Sequence, residues 1–290
     1  MKDKSLAEKT AAERQMELLS MALGSAPSAN GYWLNASGKT YPSFYPKGLT
    51  VSPFNALIMS LHSDKSGNKT NLFMPFSEAK RQGVAVREHE RGVPFLFYNW
   101  NQYVNRNNPK DIISRNDYQA LDAEQQKQYK GVHNREIRTL FCIDQTTMPF
   151  ANEKEYKKLL ADYGTAEERG QGEGDDRAMH VRFNDFLLKM RDNLVPIRTD
   201  GSGVAHYDTE KDAVYMPRQK DFEHYNDYVQ ETLRQIVSAT GHQQRLAREG
   251  MVMKNGTAPS EDAIKRERLV AELASGVKML DLGLPPRLSP

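Results

Sequence analysis

Apolar positions along the chain fall into blocks of different period, and each period predicts an element. Met16, Leu19 and Leu23 recur at helical spacing among charges and alanines, so residues 2–23 predict an amphipathic helix that "GSAPSANG" breaks. From 31 to 60, Gly, Pro and Ser divide aromatic pieces into loops and short strands ahead of an apolar segment, Phe54–Leu61. "SDKSGNKT" (63–70) is a polar turn, and "PFSEAKRQG" (75–83) predicts a short helix capped by Ser77 and ended by Gly83. "VAVREHERGVPFLFYNW" (84–100) reads as two strands about a tight turn at Arg91-Gly92, the second being Val93–Tyr98. Residues 101–135 are polar, with helix-like "RNDYQALDAEQQKQYK" at their centre. They read as an excursion before a buried strand within "REIRTLFCIDQTTMP" (135–149).

The pattern then changes. Across 150–176 a short helix gives way to glycines and acids, which predicts a boundary. A helix over 177–193 opens the second block, and "GVAHYDTEKDAVYMP" alternates like two short strands around a turn at Thr209–Lys211. Helices over about 221–249 and 260–281 follow. In the first of them Val229, Leu233, Ile236, Val237 and Thr240 mark one buried face. The fold class expected is α+β in two domains. Residues 1–150 form an α/β unit, 151–176 a helix and linker, and 177–290 a mainly helical unit with a small sheet.

Composition narrows the function classes. At 38% hydrophobic and 27% charged, the chain can bury a core, and no apolar run approaches the roughly 20 residues of a bilayer span. The first residues lack the unbroken apolar stretch of a secretory signal, and Cys142 is the sole cysteine. A reducing, cytoplasmic setting without membrane attachment is expected. Net charge is only +2, but residues 31–110 hold ten lysines and arginines against four acids. That stretch also holds both tryptophans and half of the aromatic residues. Cations that track phosphates, interleaved with rings that stack on bases, suit single-stranded nucleic acid; an aromatic core under a solvated basic face is the plain alternative. No GxxxxGK loop, GxGxxG or GxSxG is present, "GQGEGDD" has the wrong charge for phosphate, and no cofactor is implied.

Two sets of residues carry more. Asp212, Met216, Pro217, Phe222, Thr240, Gly241, His242, Arg245 and Leu246 follow one another over some 40 residues around "ETLRQIVSATGHQQRLARE". In order and spacing this resembles the zincin-like metallopeptidase domain of the ArdC antirestriction family. Upstream, Asn35, Gly38, Lys39 and Tyr41, then Phe76, Ala79, Gly83, Val86, Arg87, Glu90 and Gly92, then Cys142, Asp144, Gln145 and Thr146, resemble that family's single-stranded-DNA-binding domain. The segment after Tyr41 departs from the family's compact turn. The resemblance implies that a His-Glu-x-x-His helix would place its ligands and its base at positions 234, 235 and 238, with an acidic ligand at Glu272. Here those positions hold Arg234, Gln235 and Ser238. Arginine is always cationic, glutamine cannot take a proton and serine is a poor zinc ligand. The resemblance therefore implies a pseudo-peptidase without a metal, in which Glu272 pairs either with Arg268 on its own helix or with Arg234.

For DNA, the phosphate and stacking candidates are Lys39, Tyr41, Lys47, Lys80, Arg81, Arg87, Arg91, Trp100 and Tyr103, with Phe44 and Tyr45 beside them. Partners implied are single-stranded DNA and, through the family, restriction or conjugation machinery. Two alternatives stay open. One is a metal-dependent enzyme with a rearranged site around Glu272, His242, His224 or His206; the other is a protein that inhibits a restriction enzyme by direct contact.

Overall fold

The computed structural model describes residues 11–26, 31–34, 39–46, 51–165, 167–169, 176–201, 203–253 and 256–288. The side chains of 98–100, 133–136 and 176–178 lie outside that description, as does all of Lys47. Helix α1 (Ala11–Ser25) is the described part of the expected N-terminal helix. It braces a sheet edge: Arg14 donates to the Gly92 carbonyl (2.6 Å) and the Gln15 amide to that of Pro94 (3.1 Å). After β1 (Ser43–Phe44) the apolar segment folds as α2 (Pro53–Lys65), with Pro53 in its first turn, where no N–H is needed. Residues 55–63 are all buried, so α2 is the central helix of the first block. The Asn55 amide donates to the Leu96 carbonyl (2.7 Å) and accepts from its N–H (3.0 Å), which satisfies a buried strand backbone.

There follow β2 (Leu72–Pro75), α3 (Phe76–Arg81), β3 (Val93–Asn105), β4 (Ile112–Ser114), α4 (Arg115–Ala120), α5 (Ala123–Lys127) and β5 (Tyr129–Cys142). The sheet runs β1-β2-β5-β3-β4, antiparallel except for the β1-β2 pair. Three expectations are corrected here. Ser77 does not cap α3, which starts at Phe76 behind Pro75, although Gly83 (φ +69°) does end it. Only the second of the two strands expected over 84–100 forms. Residues 84–91 run as a loop against 143–147, because the buried Gln145 amide donates to the Arg91 carbonyl (3.0 Å) and the Glu90 carboxylate (2.9 Å). The polar excursion is the far half of a long β3–β5 ribbon, paired out to Asn105 and Tyr129, with α4 and α5 at its tip. A ribbon solvated on both faces has no alternation to read, whereas its two helices, capped by Ser114 and Asp122, were legible.

α6 (Met148–Ala151) and α7 (Glu153–Tyr163) close this block. Tyr156 and Leu159 join the core of Ile58, Met59, Phe73, Met74 and Leu140, and the Tyr156 hydroxyl donates to Asp144. The helix within 151–176 is thus seated on the first core.

The second block comprises α8 (Asp176–Asn193), β6 (Ile197–Thr199), β7 (His206–Asp208), β8 (Ala213–Met216), α9 (Tyr225–Thr240) and α10 (Glu261–Leu282). Its sheet runs β6-β8-β7, with β7 and β8 forming the expected hairpin. α10 belongs to both blocks. Met279 and Leu282 pack with Phe183, Val229 and Leu233, while Leu273, Val277 and Leu280 pack on the first core. Gly276 lies under the Trp33 indole, which a Cβ would strike. Beyond α10, Arg287 bridges Tyr32 and the Leu288 N–H donates to the Gly31 carbonyl (2.8 Å). No helix among the described residues is long and apolar enough to cross a membrane.

Candidate functional site

α9 forms because Val229, Leu233, Ile236 and Ala239, three to four residues apart, bury one face. It ends at Thr240, short of the 249 that the pattern suggested. Gly241 lets the chain double back: a Cβ there would come within 2.6 Å of Met251 Cγ and 2.9 Å of Arg248 Nη2. Two arginines of the returning segment then satisfy the last carbonyls of the helix. Arg245 donates to Ala239 (2.7 Å) and Arg248 to Val237 (2.7 Å). Each also carries a carboxylate. Arg248 binds Glu267 through two hydrogen bonds (2.6 and 2.7 Å), and Arg245 grips Asp212, one of them at 3.0 Å. Asp212 sits in left-handed backbone (φ +46°) at the β7–β8 turn. The Arg245 fork, aided by the Tyr207 hydroxyl (2.6 Å), holds its carboxyl down at about 2.

Between α9 and α10 opens a cavity of about 460 Å³, walled by Glu231, Arg234, Gln235 and Ser238 on one side and by Met251, Ile264, Arg268 and Glu272 on the other. Its centre is an ion pair. Arg234 Nε donates to Glu272 Oε2 (2.9 Å) and Nη2 to Oε1 (3.2 Å), with side chains only 12% and 9% exposed. Of the two partners open to Glu272, Arg234 is the one it takes. The same guanidinium reaches Glu231 (3.0 Å) and the Arg287 carbonyl (2.5 Å). The Gln235 amide donates to the other oxygen of Glu231 (2.7 Å). Glu231, Gln230 and the Arg287 backbone were not singled out in the sequence; i, i+3 and i+4 spacing from Arg234 and Gln235 pointed to Glu231, but nothing local pointed to the tail.

This donor set does not fit the divalent metal that a zincin fold implies. A guanidinium has no lone pair to give, and both nearby carboxylates are already engaged by it. Among the described residues no three His, Cys, Asp or Glu side chains converge. The histidines of the rearranged-site alternative are not brought together. His224 and His242 flank α9 at opposite ends, roughly 25 Å apart at 1.5 Å per residue. His206 stacks on Tyr215, and His242 is buried with Nδ1 accepting from the Gln244 N–H.

On the first block, Lys80, Arg81, Arg87 and Arg91 are exposed along α3 and the loop after it. Arg81 pairs with Glu78 and Arg87 with Glu90. Gln145 orders that loop, since its carbonyl also accepts from the Arg87 N–H (3.0 Å) and its side chain contacts buried His62. Lys39 is elsewhere: its ammonium turns inward, 8% exposed, towards Ser63 and Asp64, and burial lowers its pKa. Tyr41 is half-buried on the core, and burial raises its pKa; Phe44 packs edge-on against Phe95. Tyr103 stacks on Tyr118 at 3.8 Å, out on the ribbon, about 30 Å along β3 from its start. The Trp100 side chain and Lys47 lie outside the described residues. The aromatic half of the sequence set is therefore largely spent on packing and on self-stacking.

Comparisons with known proteins agree with this layout. Residues 18–141 match the family model for the N-terminal domain of anti-restriction factor ArdC, and residues 188–289 match that for zincin-like metallopeptidase. The similar solved structures include two of the antirestriction protein ArdC from plasmid R388. The metal-free one is 17% identical, with a TM-score of 0.54 over 95% of this chain and 83% of that one. The Mn(II)-bound one is 16% identical, with a TM-score of 0.50 over 93% and 96%. No curated protein matches the chain.

Proposed function

We infer, from the premise that this chain belongs to the ArdC-like family, with an N-terminal ArdC domain and a zincin-like domain, that it binds single-stranded DNA and hydrolyses nothing. The observation that carries this reading is the Arg234 fork on Glu272. It puts a fixed positive charge where a peptidase needs a Lewis acid, and Gln235 supplies no base to polarise water. DNA binding is supported by the exposed cations Lys80, Arg81, Arg87 and Arg91 on one short, internally braced segment. With no base-edge reader in that set, binding would follow phosphate charge and show little sequence preference. The plasmid protein of like fold is described as an antirestriction protein. By that likeness, the role here is to shield incoming DNA from restriction or to assist its transfer, in the cytoplasm, with restriction or conjugation machinery as further partners.

Fluorescence anisotropy with single- and double-stranded oligonucleotides across a salt series tests the reading. Single strands bind more tightly, on the order of micromolar near physiological salt, and lose affinity steeply as salt rises. Absent binding, or binding indifferent to salt, refutes it. A peptidase assay with added Mn(II) or Zn(II) tests the other half: turnover above a heat-treated control would restore the enzyme alternative.

A further inference from the structure

Four hydrogen bonds leave the Arg234 guanidinium, and every acceptor is a hard oxygen. They are both carboxylate oxygens of Glu272, one of Glu231 and the Arg287 main-chain carbonyl. Carboxylates and a carbonyl around one point are what an oxygen-seeking divalent cation collects. We propose that Arg234 is a tethered replacement for such a cation: it holds the oxygens of α9, α10 and the C-terminal segment together, and it is why they bind no metal. The proposal rests on the pseudo-peptidase reading and extends it, by giving the former metal position a structural task.

The geometry reaches further than the pocket. The Arg287 carbonyl that receives Arg234 also receives the Gln230 amide (2.6 Å), and the Arg287 N–H donates to Gln230 Oε1 (2.8 Å). Arg287 in turn pairs with Tyr32, and its neighbour Leu288 with Gly31. Arg234 is therefore two residues away, through backbone, from the first block. Without it, two carboxylates and a carbonyl are left with only the neutral Gln230 and Gln235 amides, and the unopposed negative charge loosens the tail.

The test is a set of melting curves and metal titrations on the full chain. The parent carries no stoichiometric metal, and neither EDTA nor about 1 mM MnCl₂ moves its melting temperature. Arg234→Ala melts lower by roughly 5–8 °C, the size expected when one partner of a buried pair is removed. MnCl₂ then raises the melting temperature of Arg234→Ala, and adding Glu272→Gln abolishes that rise. Should Arg234→Ala fail to fold, Arg234→Met with Glu272→Met removes both charges and melts closer to the parent than Arg234→Met alone. Metal bound to the parent overturns the pseudo-peptidase reading itself. An Arg234→Ala variant that melts like the parent, or that gains nothing from MnCl₂, overturns the tethered-cation proposal and leaves that reading standing.

Discussion

Asp212 isolates the electrostatics at the end of α9. Its carboxyl, ordinarily at 3.8, is held to about 2 by Arg245 first and Tyr207 second. At about 1.4 kcal/mol per pH unit, that depression corresponds to roughly 2.4 kcal/mol. The side chain is 31% exposed, so solvent screening reduces the figure to roughly 1–2 kcal/mol. Since the folded value lies below the unfolded one, the stabilisation is complete above about pH 5 and drains away as the pH falls from about 4 towards 2. Asp212→Asn is the perturbation of choice, because asparagine accepts the left-handed backbone at φ +46° and keeps the shape of the side chain. Urea unfolding at pH 6 should show the variant less stable by roughly 1–2 kcal/mol; at pH 3 the gap should shrink to about half. A gap of equal size at both pH values, or none at pH 6, would refute the assignment of the depressed carboxyl to this pair.

The remaining expectations are simpler. Lys80→Ala and Arg91→Ala should each weaken single-strand binding uniformly across sequences and reduce the salt slope by about 0.7, as read by anisotropy. Leu233→Ala, at a position 2% exposed, should cost roughly 2–5 kcal/mol and lower the urea midpoint without changing the slope. Gly92→Ala should cost roughly 1–3 kcal/mol by calorimetry, because its Cβ would come within 2.6 Å of the Leu140 carbonyl.

What the sequence disclosed follows from the range of each interaction. The helical face of Val229, Leu233 and Ile236, the hairpin at 206–216 and the end of α3 at Gly83 depend on neighbours a few residues away. That Arg234, Gln235 and Ser238 share one side of α9 was also legible, because their spacing is fixed within one helix. The stop of α9 at Thr240 was not, since it depends on Arg245 and Arg248 finding Asp212 and Glu267 across the fold. Lys39 misled for a related reason: composition counts a lysine as surface charge, and only the packing of α2 shows that Asp64 and Ser63 draw it inward. Tyr103 is a stacking candidate by sequence, yet Tyr118, fifteen positions on and brought back by the ribbon's tip, already occupies one of its faces.

α10 carries a consequence for how such a gene can be cut and rejoined. One side of the helix completes the core of Phe73 and Leu140 and the other that of Phe183 and Leu233, with Gly276 admitting Trp33 between them. A fragment ending before α10 would bare a greasy seam on its own core, and the complementary fragment would bare the matching one. Recombination that exchanged only one half would thus strand two unmatched surfaces. The two blocks therefore fold as one unit, and changes around Arg234 are tolerable in the second so long as it still roofs the first.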